Sequence, residues 1–493
     1  MAAFQFHNLT PFAGKSTTIR RPREFTYFSF DDDHKLFPLS DASLSYYYPA
    51  FFHHASISPH RVNLSAGFES FRERDDGVDE HLDALLDTLQ AHEERELERA
   101  RDDAEERKLE DVRCKADVVT WRGMMTKILT APFDDFNEFE MNATCFQGTI
   151  FVEENHQSKE AQRQSQNAQL PRPGQPPQEL MQYWGYKFEA LSTLPQPWPE
   201  ATRESIESRD QTVVNNHAQY CSIVRTGIGT TSLIIAGEVD CVLGQKPDNI
   251  EDPVPWVELK TTAELQSNHP RELVKFERKL LKYWAQSFLL GVPLIVVGFR
   301  TPDGLLTGMQ DLKTQRIPSE VKQGQRTWDG NVCINFTAAF LDTLKATVVG
   351  EGVWRIRPPD HSPSLIHFNL FNKSSKKSLR MKYSREQRSE MRKRDISTAQ
   401  AHNTGLNSTQ SSSTEDENSG PVFFWREYEQ PHGFLCQWYP SPFLAPQVHP
   451  THVFGCAEQY MMYRKALLLA TPEPNDIDSA NTTEDEEAEV DIG

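Results

Sequence analysis

Two apolar runs that end in charge, Leu233-Ile234-Ile235-Ala236-Gly237-Glu238-Val239-Asp240 and Trp256-Val257-Glu258-Leu259-Lys260, lie close together in this chain. On a β-strand, residues two apart share a face. Strands are therefore expected over about 233–242 and 256–260, with Glu238 and Asp240 on one face and Glu258 beside Lys260 on another. Downstream, Pro270 to Leu290 reads as a long helix and Leu294 to Phe299 as a further strand. Strands and helices alternate here, the pattern of an α/β or α+β sheet covered by helices.

Outward from this heart the pattern loosens. Residues 1–70 are rich in aromatics with Pro and Ser at intervals, as in Phe25-Thr26-Tyr27-Phe28-Ser29-Phe30, and predict short strands and ordered loops. A helix is expected from Asp79 to about Arg113, with its far half solvated. Residues 118–153 read as strand and turn. The stretch 156–178 is rich in Gln and Pro and is expected to be a surface loop. A helix over Ala338–Lys345 and strands within 330–370 complete the ordered part, and Ile396 to Gly420 has the Ser, Thr, Asn and Gln content of a linker. No internal repeat is apparent.

With 493 residues the chain has room for a large core, and 31 prolines with a mean hydropathy of −0.61 indicate that part of it is loop or disordered. The apolar run Phe288 to Phe299 contains Pro293 and falls well short of the roughly 20 residues of a membrane span. No secretory signal is expected after Met1, and seven cysteines, odd in number and without a C-x-x-C pair, point to a reducing compartment. The net charge of −19 looks unfavourable for a polyanionic partner. Its distribution matters more than its sum: acid is concentrated at Glu484-Asp485-Glu486-Glu487 and between Arg72 and Arg113, while Lys373 to Arg394 is basic and suits nuclear import, RNA contact or a flexible arm.

Clustered carboxylates on adjacent strands cost several kcal/mol, on the order of a buried unpaired charge, unless something compensates. A divalent cation is the natural compensation, and oxygen ligands favour magnesium or manganese over zinc. A lysine beside such an ion can stabilise developing phosphoryl charge. Hydrolysis of a phosphodiester or phosphoanhydride is the chemistry that this assembly suits. Gly185-Tyr186-Lys187-Phe188-Glu189 supplies a further acid next to aromatics.

Four separated segments carry a resemblance: Thr120-Trp121-Arg122-Gly123-Met124-Met125-Thr126-Lys127, Gly185-Tyr186-Lys187-Phe188-Glu189, Gly237-Glu238-Val239-Asp240 and Glu258-Leu259-Lys260-Thr261-Thr262. With Lys279 to Phe288 and Gly298-Phe299-Arg300, in this order, residues 1 to about 370 resemble the DXO family of RNA 5′-end decapping nucleases, including its fungal nuclear branch. The resemblance implies a mixed α/β fold of the α+β class, in which a central mixed β-sheet is flanked by helices around a restriction-nuclease-like cleft. It implies that Glu189, Glu238, Asp240 and Glu258 hold a divalent metal, with the Leu259 carbonyl as a further ligand, and that Mg2+ serves, or Mn2+ in its place. Lys260 would position water and stabilise charge, and Arg122 and Gln286 would contact substrate phosphates. The implied substrates are RNA 5′ ends: triphosphate, incompletely methylated cap or nicotinamide dinucleotide cap. The implied partner is a nuclear 5′-to-3′ exoribonuclease, and a non-catalytic scaffold that stabilises that exoribonuclease is the alternative reading.

On this reading residues 1–372 are the nuclease-like domain, with a charged insertion at 93–113 and the Gln/Pro loop at 156–178, and 373–420 are linker. After it, Phe423-Phe424-Trp425-Arg426, Tyr439-Pro440-Ser441-Pro442-Phe443 and Ala457-Glu458-Gln459-Tyr460 resemble the opening of a NADAR domain, a family associated with cleaving N-glycosidic bonds of ADP-ribose-type compounds. Glu458 matches an acidic position of that family. The resemblance is expected to stop near Ala470, giving a partial segment at 421–470 and an acidic disordered tail at 471–493.

Overall fold

The computed structural model describes residues 2–50, 62–102, 112–134, 140–167, 176–249, 251–265, 269–350, 352–357, 365–372, 443–444 and 453–454. Two sheets organise the first part of the chain. The larger runs from edge to edge as β1 (Ala2–Gln5), β17 (Leu365–Asn372), β16 (Gly352–Arg357), β7 (Met141–Phe146), β8 (Thr149–Glu154), β6 (Val118–Trp121), β11 (Thr231–Glu238), β10 (Gln219–Ile228), β2 (Ile19–Phe30) and β3 (Leu36–Pro38). The smaller runs as β5 (Val62–Asn63), β15 (Leu305–Lys313), β14 (Leu294–Arg300), β13 (Trp256–Ala263), β12 (Cys241–Val242), β4 (Tyr46–Tyr47) and β9 (Thr193–Leu194). Both are mixed: β6 is parallel to β11 and β8, and β13 is parallel to β14, whereas β10 is antiparallel to β11 and β2.

The expected strand over 233–242 is in fact two. β11 ends at Glu238, and the chain crosses to the other sheet before β12 begins at Cys241. Asp240 therefore lies in the crossing and not on a strand with Glu238. The apolar run through Val242 conceals the break because Val239, Cys241 and Val242 are all buried, as strand residues would be.

The helices are α1 (Asp83–Asp102), α2 (Arg122–Thr130), α3 (His156–Asn167), α4 (Gln178–Leu191), α5 (Arg203–Glu207), α6 (Pro270–Leu290), α7 (Ile317–Gln323) and α8 (Gly330–Thr347). α6 has both of its sequence signals. Pro270 stands in the first turn behind His269, whose Nδ1 accepts the Arg271 amide at 3.2 Å, and Gly291 closes the helix in the left-handed region at φ 74°. α8 starts at Asp329, whose carboxylate accepts the amides of Asn331 and Val332. α2 packs on α6 and α8, and the core there includes Met125, Leu281, Trp284, Phe336 and Phe340. Trp284 stacks on Trp328 at 5.3 Å. Each fully buried Phe or Leu in such a core contributes about 1.5–3 kcal/mol.

Three expectations are corrected. Residues 118–153 contain helix α2 besides strands, because Met124, Met125, Ile128 and Leu129 are buried at helical spacing directly after a strand. The stretch 156–178 opens with helix α3, His156–Asn167; its Gln-rich half has no proline until Pro171, so nothing there interrupts a helix. The expected solvated insertion from Glu93 is anchored: Glu93 is buried and accepts the Cys114 amide at 2.9 Å, and Ala100 is also buried. The apolar stripe of α1, with Leu85 and Leu89, packs on Phe28, Val119 and Ile234.

The chain divides into two units, Met1–Leu406 and Asn407–Gly493. In the second, Phe443–Leu444 pairs antiparallel with Val453–Phe454. The basic stretch at 373–394, the linker, Glu458 and the acidic tail lie outside the described residues. Among the described residues no helix is long and apolar enough to cross a membrane.

Candidate active site at the seam of the two sheets

The crossing between Glu238 and Cys241 brings residues of both sheets together. β11 lies beside β6 with Ala236 opposite Trp121, so Gly237 and Arg122, the next residues of each chain, are neighbours. A Cβ on Gly237 would stand 2.8 Å from Arg122 Cβ and 3.0 Å from Leu290 Cδ1. The absence of a side chain at this position makes room for the stem of Arg122, which explains the Gly before Glu238-Val239-Asp240.

Glu258 is the centre of the cluster. Its carboxylate is 0% exposed, with Lys260 Nζ 2.6 Å from Oε1 and Arg122 Nη1 3.2 Å from Oε2. Oε1 lacks a hydrogen-bonded donor of suitable alignment despite that ammonium. The amide of Leu259 donates to Asp240 Oδ2 at 2.6 Å, which ties the crossing to β13. Glu238 is held by the Gln219 side-chain amide at 3.1 Å. Glu189 arrives on α4, which buries Tyr183, Trp184 and Phe188 in the core under the smaller sheet and leaves the carboxylate facing the same acids.

These groups perturb one another. Burial, then Asp240 and Glu238, push the Glu189 carboxyl well above the usual range. Burial, then Glu258, raise Asp240 to about 7. Glu238 is raised by burial, with Arg122 as the main opposing influence. Glu258 behaves oppositely: burial works against its charge, but Lys260 and Arg122 outweigh it and hold its carboxyl below the ordinary value. Lys260 keeps its proton more firmly than a free lysine, because Glu258 and Asp240 outweigh its own burial.

Glu189, Glu238, Asp240, Glu258, Lys260 and Arg122 are thus within electrostatic reach of one another. Leu259 packs its side chain with Phe188 and Val296 and spends its amide on Asp240. Gln286 stands half-buried on α6, one turn beyond Tyr283, whose hydroxyl donates to the Thr261 carbonyl at 3.4 Å. It therefore shares the helix face turned toward β13. Two residues that sequence reasoning missed belong here: Gln219, which holds Glu238, and Arg74, whose charge Glu238 feels. Neither stands in a distinctive local pattern, since Arg74 is one of many charges between Arg72 and Arg113.

The donor set suits a hard divalent cation. Four carboxylates face the cationic side chains of Arg122 and Lys260, with Arg74 as a third acting on Glu238, leaving a formal excess of one negative charge (four minus three) if all are ionised. As arranged, the acids are not drawn into one coordination sphere: among the described residues no three His, Cys, Asp or Glu side chains are grouped to hold a metal ion. The residues fit such an ion in chemistry and charge, and binding it requires the carboxylates to close together, with Glu258 sharing its oxygens between the ion and its two cationic neighbours.

Comparison with known proteins identifies chains similar to this one. Residues 20–390 match the family model "RAI1 like PD-(D/E)XK nuclease", and residues 423–490 match the NADAR domain model, so that match extends past Ala470 into the acidic end. The chain is 53% identical over 369 residues to the decapping nuclease RAI1 of Aspergillus fumigatus, covering 74% of this chain and 93% of that protein. It is 52% identical over 360 residues to the corresponding protein of Emericella nidulans, covering 73% and 91%. Among solved structures, Candida albicans Rai1 in complex with pU5 and Mn2+ is similar at 27% identity and a TM-score of 0.65, over 77% of this chain and 96% of that one. Scheffersomyces stipitis Rai1 in complex with (3'-NADP)+ and a calcium ion is similar at 27% identity and a TM-score of 0.64, over the same shares.

Proposed function

Because the chain belongs to the RAI1-like PD-(D/E)XK nuclease family, we propose that its seam of carboxylates is the active site of a decapping nuclease, a metal-dependent hydrolase of RNA 5′ ends. The observation that carries this reading is Glu258, fully buried between Arg122 and Lys260, while burial and neighbouring carboxylates, Glu258 among them, raise the pKa of Glu189, Glu238 and Asp240. A scaffold without catalysis gains nothing from such crowding, which costs stability.

Glu189, Glu238, Asp240 and Glu258 would hold Mg2+, or Mn2+ in its place, with the Leu259 carbonyl as a further ligand. When bound, the ion supplies Lewis-acid polarisation of a phosphoryl oxygen and a more acidic bound water. Lys260, kept protonated by Glu258, places a fixed positive charge where negative charge develops on phosphorus. Arg122, whose stem is fixed against Gly237, presents a planar guanidinium that can grip a phosphate with two bonds. Gln286 offers its amide to the same phosphates.

The substrates that fit this reading are RNAs with a 5′ triphosphate, an incompletely methylated cap or a nicotinamide dinucleotide cap. The solved relatives support it, since one holds pU5 with Mn2+ and another a dinucleotide with calcium. Residues 1–372 form the nuclease domain of this account. Association with a nuclear 5′-to-3′ exoribonuclease and a nuclear location, served by the basic stretch at 373–394, complete it. Incubating the full chain and Mg2+ with RNAs bearing each of the three 5′ ends tests the reading. Release of pyrophosphate or of the cap supports it; unchanged RNA in every case, with exoribonuclease nonetheless stimulated in a mixed assay, leaves the scaffold.

A further inference from the structure

Away from the carboxylates, on the loop between β12 and β13, Lys246 reaches into a box of aromatic rings. Its Nζ lies 3.8 Å from the Tyr27 ring centroid, 5.3 Å from Tyr220 and 6.0 Å from Trp256. It pairs with Glu24 Oε1 at 2.5 Å and donates to the Tyr220 hydroxyl at 2.7 Å, and that hydroxyl donates in turn to Glu24. The carboxylate of Glu24 is 6% exposed and the Lys246 side chain 20%. A cation over several rings and paired with a nearly buried carboxylate is held far more firmly than an exposed lysine.

The walls of the box matter because of what they carry. Tyr27 and Glu24 belong to β2 and Tyr220 to β10 in the larger sheet, while Trp256 opens β13 in the smaller one. The Tyr220 carbonyl accepts the amide of Val239 at 3.2 Å, the residue between Glu238 and Asp240. Trp256 stands two residues before Glu258 on the same strand. Lys246 therefore joins the two sheets directly beside the points from which Glu238, Asp240 and Glu258 project.

We propose that Lys246 is a positioning residue: its ammonium, clamped by Glu24, Tyr27, Tyr220 and Trp256, fixes the seam between the sheets so that the carboxylates can close on a divalent ion. The inference rests on the metal-site reading above and deepens it. Lys246 is not among the proposed ligands and substrate-binding residues, so its loss acts through the spacing of the acids. Weakening a group that orients metal ligands typically costs about 10–100-fold in metal affinity.

The test titrates Mn2+ into the full chain by calorimetry, for the unaltered protein and for Lys246→Met and Lys246→Arg, with thermal unfolding and steady-state kinetics on 5′-triphosphate RNA alongside. Lys246→Met is expected to bind Mn2+ at least about tenfold more weakly. Its turnover should recover at high Mn2+ with an unchanged KM for RNA, and Lys246→Arg should stay close to the unaltered protein. Lys246→Met with unchanged Mn2+ affinity, whatever its melting temperature or turnover, overturns the proposal and leaves a purely structural clamp. If Lys246→Met does not fold, a folded Glu24→Gln variant, which removes the charge that clamps the ammonium, takes its place: weaker Mn2+ binding there supports the proposal and normal binding overturns it. An unaltered protein that binds no Mn2+ overturns the metal-site reading itself, a result distinguishable from the failure of Lys246 alone.

Discussion

The amide nitrogen of Leu259 and Oδ2 of Asp240 are 2.6 Å apart, so the crossing between the two sheets is fastened to β13 by a carboxylate that also belongs to the acidic cluster. One side chain thus has a structural and a chemical task. Substitutions can separate the two.

Asp240→Asn keeps an acceptor for the Leu259 amide and removes one crowded charge, whereas Asp240→Ala leaves that amide without its acceptor. Leaving a buried donor unpaired costs about 1–3 kcal/mol. Both variants should lose pyrophosphate release from 5′-triphosphate RNA, but only Asp240→Ala should melt earlier than the unaltered protein. Equal melting temperatures would show that the hydrogen bond contributes nothing to stability.

Removing Lys260 leaves Glu258 with Arg122 as its one cationic neighbour in ion-pair contact among the described residues. Breaking one partner of a buried pair costs up to about 3–5 kcal/mol, and the remaining guanidinium should hold the loss to about half of that. Lys260→Met should therefore be both inactive and destabilised in urea unfolding, while the double variant Lys260→Met with Glu258→Gln recovers stability without activity.

A Cβ at position 237 would meet Arg122 Cβ at 2.8 Å and Leu290 Cδ1 at 3.0 Å. Gly237→Ala should displace the Arg122 stem. Overpacking of this kind costs about 1–3 kcal/mol. The expected kinetic signature is a raised KM for RNA, because the displaced group is the one assigned to phosphate binding, and an unchanged KM would detach Arg122 from that role.

His92 supplies a pH dependence remote from the active site. Burial, then the charge of Arg95, lower its pKa from 6.5 to about 4, and its Nδ1 accepts from the Arg95 guanidinium at 3.2 Å, beside Phe25. The folded state therefore keeps His92 neutral in a range where the unfolded chain protonates it. Between pH 6.5 and about 4 the unfolded state binds more protons, so this residue lowers stability as pH falls through that window and adds no further slope below it. Urea midpoints measured across pH 4–7 should fall less steeply in His92→Gln than in the unaltered protein; parallel curves would contradict the assignment.

Much of this was legible in the amino-acid order. Helix α6 and strands β13 and β14 follow from Pro270, Gly291 and the apolar runs beside them, because caps and periodicity are local signals. The break after Glu238 was not legible, since residues crossing between two sheets are as buried as residues inside one. Helix α2 was hidden for a related reason: the apolar residues of the short segment from Val118 to Leu129 come in pairs, Val118-Val119, Met124-Met125 and Ile128-Leu129, and over so short a stretch periodicity alone does not separate a buried strand from the buried helix that follows it. In the site, the motif residues were readable because their charges interrupt apolar runs. Gln219 and the Lys246 box were not, because both depend on β10 lying between β11 and β2.

The central claim is that carboxylates from both sheets act together on one divalent ion to open an RNA 5′ end. The most direct measurement is pyrophosphate release from 5′-triphosphate RNA by chelator-treated full chain, with and without added Mg2+, for the unaltered protein and for the double variant Glu238→Ala with Asp240→Ala. The account predicts release from the unaltered protein only when Mg2+ is present, and none from the folded double variant under either condition. Release that persists without added metal, or at an undiminished rate in the double variant, would contradict it.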